Sequence, residues 1–470
     1  INLWIEKRWI CLWLKKNTQA AEMVNGLIKR SQHAQAILST FTQEQVDKIC
    51  EAIAKAGKEH AQELAQAAVQ ETRRGVVADK VTKNIFASEC IWESLKDVKT
   101  VGVVSEDEDK GLVSIAEPMG VIAGVTPVTN PTSTVIFKSM IALKTRNTIV
   151  FGFHPQAQKS CVMAGKLVEA AAEAAGAPKD SILWIEEPSL EATTALMHNP
   201  NVSLILATGG PSMVSAAYSS GKPALGVGPG NGPAYVAESA NVTKAIDDIV
   251  TSKTFDNGMI CASENSIVVD ASIYDEVKKL LKGHGAYFLN DEQVPEFSKA
   301  FIDEKRGTVR GMLAGKSAKE IATLCSLEVP ADTRIIVAEL DGVGREYPLS
   351  AEKLSPVLSM YKAKDAKEAF FICQQLLDYG GRGHTAAIHS EDHNLIVKFA
   401  IEMTACRILV NTPSALGGVG GLYNNLTPSL TLGTGTYGGN AVSHNITATD
   451  LLNMKTVAFR HETDFLKSLN

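Results

Sequence analysis

The sequence lacks most of the marks by which a function is usually read. No apolar run has the roughly twenty residues that a bilayer span requires. The longest run in the first sixteen residues, Trp9 to Leu14, has six. That is short of the ~7–15 of a secretory h-region, and no small-residue cleavage site follows it. These absences predict a soluble, cytoplasmic protein in which residues 1–16 are an added segment or a docked helix rather than a targeting signal. Cysteine is sparse, eight in 470 residues with no C-x-x-C pair, which argues against a zinc ribbon, a dithiol redox centre and a disulfide frame. There is no H-E-x-x-H, no G-x-S-x-G and no cluster with metal-ligand spacing, so no metal site is expected. Lys and Arg number 46 against 52 Asp and Glu, and a net charge of −6 does not support a broad basic surface for nucleic acid. With 45% hydrophobic and 21% charged residues, the chain is neither disordered nor fibrous. Its length predicts two to four domains at about 100–200 residues each.

What is present is an alternation of periods. Residues 17–98 read as helical, with Ile49, Ile53 and Leu64 on one face and a capping box from Thr42 to Gln45. Residues 105–111, SEDEDKG, read as an acidic surface loop. From Val121 onward short β-branched runs alternate with helical segments: strands at 121–125, 148–151, 182–185 and 202–207, helices at 131–143, 156–175, 189–198 and 211–219. Asn130 is read as the N-cap of the first of these helices, with Pro131 at N1. A second alternating stretch spans about 235–425, and residues 411–445 are dense in Gly, Thr, Ser and Asn. Such alternation predicts βαβ units and doubly wound parallel sheets. Ligands in these sheets bind beyond the carboxyl ends of the strands. Here two of those ends read TPVTNP and ATGGPS.

Three motif matches fail on context. Gly433–Gly438 fits G-x-G-x-x-G but opens no βαβ unit. Gly315-Lys316-Ser317 ends like a phosphate loop, but Gly311 is one residue too close and no apolar strand precedes it. The N-x-[ST] matches at Asn201, Asn241, Asn425 and Asn445 mean little without a secretory signal. A better candidate is FDNGMICASENS, residues 255–266. Cys261 follows an Asn-Gly turn signal and precedes a β-branched strand, where a loop can display a nucleophile. Cys50, Cys373 and Cys406 lie in helical or strand patterns and read as small buried hydrophobes.

Three long runs, GVIAGVTPVTNPTSTVIFKSMIALKTRNTIV, LILATGGPSMVSAAYSSGKPALGVGPGNGPAYV and SKTFDNGMICASENSIVV, resemble the CoA-acylating aldehyde dehydrogenases. They are closest to the aldehyde half of the bifunctional alcohol/acetaldehyde enzymes. EKLSPVL, GRGHTAAIHS, RILVNTPSALGG and LTPSLTLGTGTYGGNAVS continue the resemblance across about residues 20–460. It implies an α/β, aldehyde dehydrogenase-like fold: two doubly wound domains with a small β oligomerisation arm. An NAD-binding domain would occupy 17–235, with 106–119 in the arm. A catalytic domain would follow at 236–425, and a return segment with the rest of the arm at 426–470.

By the same likeness Cys261 is the nucleophile and Asn130 an oxyanion donor. Val125, Thr126, Pro127, Val128, Thr129, Asn130, Gly209, Gly210, Gly228 and Glu352 hold NAD. His384 is a candidate catalytic or CoA-side residue, with a structural histidine as the equal alternative. Coenzyme A is the co-substrate and acetaldehyde the first-choice aldehyde. Succinate semialdehyde and sulfoacetaldehyde are the alternatives, and an assembly module the rival of another class. A homo-oligomer, fused to or paired with an iron-dependent alcohol dehydrogenase, is expected. One departure is informative: hydrolytic members carry a general-base glutamate where this chain reads Gly228-Pro229-Gly230-Asn231-Gly232. Without that carboxylate, attack by water lacks its base, and a thiol is favoured as acyl acceptor.

Overall fold

Alternating buried strands and amphipathic helices leave this chain few ways to cover its apolar faces, and the computed structural model, which describes residues 2–469, shows the one it takes. A five-stranded sheet runs in the order Ile182–Trp184, Thr148–Gly152, Val121–Val125, Val202–Thr208, Ala224–Val227, every pair parallel. The earliest strand in sequence stands in the middle. The chain therefore departs from it in both directions, and a crevice opens at its carboxyl end. Every residue of Val121–Val125 and Thr148–Gly152 is buried, as expected of a parallel sheet covered on both faces.

The helix Pro131–Lys144 is buried along its whole length. Its two lysines are accommodated by specific partners. Lys138 Nζ donates to the carbonyls of Val125 at 2.7 Å and Leu206 at 2.8 Å, tying the ends of the two central strands together. Lys144 pairs with Asp47. Helix Gln43–Glu59 carries the expected capping box, Thr42 with Gln45.

The second sheet has seven parallel strands: Ala286–Phe288, Ile335–Glu339, Val357–Ala363, Glu264–Asp270, Gly232–Val236, Gly383–His389 and Ala405–Val410. The chain passes from one sheet to the other between Val227 and Gly232. A third, antiparallel sheet joins Gly102–Asp107, Leu112–Pro118 and Leu452–Ala458.

This last sheet corrects the reading of residues 105–111 as a loop. The acidic run is a hairpin tip whose strand continues to Asp107, and only the turn is loop. The side chains of Gly102–Asp107 are largely exposed, so no buried face marked the strand. Cys50 and Cys373 are buried as expected, whereas Cys406 is half-buried. No described helix is long and apolar enough to cross a membrane.

Candidate active site

The crevice at the carboxyl end of the five-stranded sheet deepens into a cavity of about 820 Å³ that extends to the loops carrying Cys261 and Glu352. Its lining includes Val125 through Asn130, Gly209, Gly210, Gly228, Cys261 and Glu352. Every candidate residue named from the sequence is therefore on this one wall system, with one exception. His384 is buried outside the lining. Its Nδ1 lies 2.9 Å from Thr385 Oγ1, and its Nε2 has no hydrogen-bond partner. Burial, then the charge of Arg407, holds its pKa well below the usual value, so it is neutral. The ring packs behind Gly230: a Cβ there would stand 3.2 Å from His384 Cγ and 2.0 Å from the Cys261 carbonyl oxygen. His384 thus neighbours the Cys261 loop through the backbone, without facing the cavity.

The loop that carries Cys261 owes its path to three consecutive left-handed residues, Asp256 (φ 49°), Asn257 (φ 54°) and Gly258 (φ 73°). Asp and Asn tolerate this region better than most residues. Gly258 is required there, since a Cβ would lie 2.7 Å from the Ser355 carbonyl oxygen. Side chains pin the turn. The Asp256 N–H donates to Asp79 Oδ2 at 2.8 Å, and Asn257 Nδ2 donates to the Gly315 carbonyl at 3.0 Å. Asp256 Oδ1 accepts from the Val76 N–H at 2.8 Å. The result sets Cys261 half-buried at the cavity wall.

The strongest feature of the site was not singled out in the sequence. The helical stretch from Val77 to Leu95, with a π-turn at Phe86–Cys90, projects Lys80 and Lys83 from one face, three residues apart. Both ammonium groups bond Asp256 Oδ2, Lys80 at 2.9 Å and Lys83 more closely. Lys80 Nζ also donates to the Thr129 carbonyl at 3.0 Å. Lys83 Nζ donates to Asn130 Oδ1 at 2.7 Å and to the Met259 carbonyl at 2.9 Å. The knot clamps the loop after Val125 to the loop before Cys261, although each belongs to a different sheet.

The N-cap position read for Asn130 is borne out, yet its side chain serves Lys83 rather than the helix. Asn130 sits at the N-cap position of Pro131–Lys144, but its side chain makes no capping bond, because Lys83 takes the amide oxygen. Two lysines at i and i+3 on a helix carry no local mark of a site. Only the left-handed Asp256, distant in the chain, makes them a site.

Electrostatics divide around the sulfur. Burial first, then the carboxyl of Glu352, push the Cys261 thiol up to about 11. Arg407, the residue's own N–H and Lys83 oppose the rise. Arg407 is buried, and its guanidinium donates to the carbonyls of Gly433 at 2.8 Å and His384 at 3.1 Å. Glu352 Oε1 accepts from the Gly230 N–H at 3.0 Å, and burial raises its carboxyl to about 7.

The residues around the cavity fit a dinucleotide. Side chains built on Gly210 and Gly228 would enter open space, so both backbones are bare toward the cavity. Pro211–Tyr218 points its N-terminus there, a natural seat for a pyrophosphate. The Gly433–Gly438 match plays no such part. Its backbone pairs with residues 442–444 and packs on Gly383. Among the described residues no His, Cys, Asp or Glu cluster could hold a metal.

Known proteins agree with this architecture. Residues 13–421 match the model described as the aldehyde dehydrogenase family. The bifunctional aldehyde-alcohol dehydrogenase AdhE of Escherichia coli K12 is 48% identical over 449 residues, covering 95% of this chain and 50% of the relative. The chain thus spans about half the length of the aldehyde-alcohol dehydrogenases it matches. The crystal structure of an acetylating aldehyde dehydrogenase from Geobacillus thermoglucosidasius superposes with a TM-score of 0.92 at 47% identity, covering 95% of this chain and 98% of that one. A propionaldehyde dehydrogenase from Rhodopseudomonas palustris, solved with CoA and an acylated cysteine, superposes at 0.82 with 28% identity, covering 93% and 97%. The chain belongs to the aldehyde dehydrogenase family and groups with its acetylating members.

Proposed function

We propose that this chain is an acylating aldehyde dehydrogenase that interconverts a short aldehyde, acetaldehyde first, plus CoA and NAD with acyl-CoA plus NADH. The observation that carries this is the clamp that holds Asn130 and the Cys261 loop on one cavity wall through a single ammonium group. Cys261 attacks the aldehyde carbonyl as thiolate and forms a thiohemiacetal. The carbonyl oxygen gains charge, and the Asn130 Nδ2 and Cys261 N–H groups receive it. Each such donor is worth roughly 3–4 kcal/mol in the transition state. Lys83 acts through Asn130: it occupies Oδ1, so the amide presents its NH2 outward.

A dinucleotide, when bound, supplies a hydride acceptor. Val125–Asn130, Gly209, Gly210 and Gly228 would hold it by backbone, and Glu352 would meet its nicotinamide-side ribose. The acyl group then rests on Cys261 as a thioester. Glu352 is the one acidic side chain in the described lining, and the Gly230 N–H engages it. Residues 228–232, GPGNG, offer water no carboxylate as a base, and the thiol of CoA collects the acyl group. His384, neutral and one layer back, supports the loop from behind. The protein acts in the cytoplasm as a homo-oligomer through its antiparallel arm, whose last strand exposes Met454 and Val457, alongside an iron-dependent alcohol dehydrogenase.

The test is NADH formation from acetaldehyde with and without CoA. The reading expects strong dependence on CoA. Equal rates in both would mean hydrolysis and would overturn it.

A further inference from the structure

The cavity lining holds a second charged side chain, Arg74. Arg74 follows the helix Ala61–Thr72, just past Arg73 in the left-handed region. Its backbone is fixed where the Gly75 N–H meets the Gly315 carbonyl at 2.8 Å. Arg74 lines the cavity together with Phe153, His154 and Met312. Nη2 donates to the Gly311 carbonyl at 2.8 Å, which uses one of the five N–H donors of the fork. Its charge is perturbed by burial alone, with no acidic neighbour contributing among the described residues. A half-buried guanidinium on a cavity wall, with no carboxylate paired to it among the described residues, is an anion site in want of an anion.

Its position says which anion. Burial first, then the Arg74 charge, lowers the His154 pKa, and its Nδ1 accepts the Gln156 N–H at 3.1 Å. His154 lies just past the carboxyl end of Thr148–Gly152, the strand beside the central one, and Arg74 shares the cavity lining with it. In dinucleotide-binding sheets this is where an acid reads a free ribose hydroxyl, or an arginine accommodates a ribose phosphate. Here residues 153–156 read Phe-His-Pro-Gln: no acid is present and an arginine stands across from them.

We propose that Arg74, with His154 beside it, forms a subsite for a phosphomonoester on the adenosine ribose of a ligand in this cavity. The inference rests on the acylating reading above, and two ligands carry the group: CoA at its 3′ position and NADP at its 2′ position.

The experiment measures KM for CoA and dephospho-CoA, and Kd for NADP and NAD by direct titration, in the full chain and in Arg74→Met. A lost charged hydrogen bond of about 1.5–3 kcal/mol predicts a loss of roughly 10- to 100-fold for the ligand whose phosphate is read. Its dephosphorylated counterpart should stay within about twofold, and Arg74→Lys should retain part of the preference. Loss on CoA alone assigns the 3′-phosphate; loss on NADP alone assigns the 2′-phosphate. Four unchanged constants, or equal losses within each pair, would overturn the subsite. Should Arg74→Met not fold, the unaltered protein decides: it must prefer one phosphorylated ligand over its counterpart, and added salt must erode that preference. If NADH formation ignores CoA altogether, the acylating reading fails, while the NADP and NAD titrations still judge Arg74.

Discussion

Lys83 and Asn130 are joined by a bond of 2.7 Å from ammonium to amide oxygen, and that bond decides which way the amide faces. An ammonium can only donate, so the amide must offer it the oxygen. The NH2 is then left for the substrate side, where Nδ2 has only a long contact of 3.4 Å to Thr129 Oγ1.

Removing the donor should cost the rate of the chemical step. Asn130→Ala is expected to lower kcat by about 10²–10³-fold, the usual cost of an oxyanion donor. Lys83→Met should lower kcat in the same direction with little change in NAD affinity. Because both act on one amide, the double variant should lose little beyond Asn130→Ala alone. Steady-state rates with a thermal melt on each variant check this. Full additivity would mean that Lys83 acts elsewhere.

The thiol offers a test in pH. With Cys261 raised to about 11, only about one thiol in 10⁴ is ionised at pH 7 before ligands bind. Alkylation by iodoacetamide should therefore accelerate steadily from pH 7 to 10. Glu352 contributes to the raised value and is itself ionised above about 7. Glu352→Gln should thus lower the thiol pKa and speed alkylation at pH 9. A slower reaction in that variant would contradict the assigned electrostatics.

The legibility of this chain was uneven, for physical reasons. Strands buried on both faces, such as Val121–Val125, announce themselves by an unbroken run without a charged or polar side chain. Cys261 was found because a turn signal and a strand flank it. Gly383–His389 was not recognised as a strand, since GHTAAIH has few β-branched residues and draws its burial from both neighbours in the sheet. Lys80, Lys83 and Asp256 were missed because their chemistry exists only across 173 residues or more of chain. No local pattern records that distance.

The left-handed turn should be intolerant at one position. Gly258→Ala places a Cβ against the Ser355 backbone at a φ of 73°, a strain of order 1–3 kcal/mol. The melting temperature should fall. Activity should fall further than stability explains, because the turn aims Cys261. Unchanged activity at reduced stability would show that the turn serves folding alone.

Acid should stabilise one part of the core. Burial raises Glu264 to about 7 from 4.5, even though Ser252 and the Ser414 N–H bond its carboxyl. The folded state then holds its proton more tightly than the unfolded state, so this contribution to stability declines as pH rises from about 4.5 through 7. Urea midpoints at pH 5 and pH 7.5 should differ less in Glu264→Gln than in the unaltered protein. A steeper dependence in the variant would reverse the sign.

The central claim is that Cys261 carries the acyl group, and incubation with acetyl-CoA followed by intact mass analysis tests it most directly. The account predicts the gain of one acetyl group, retained under denaturing conditions, released by free CoA and absent in Cys261→Ser. A chain that stays unmodified, or acetylates equally in Cys261→Ser, would contradict it.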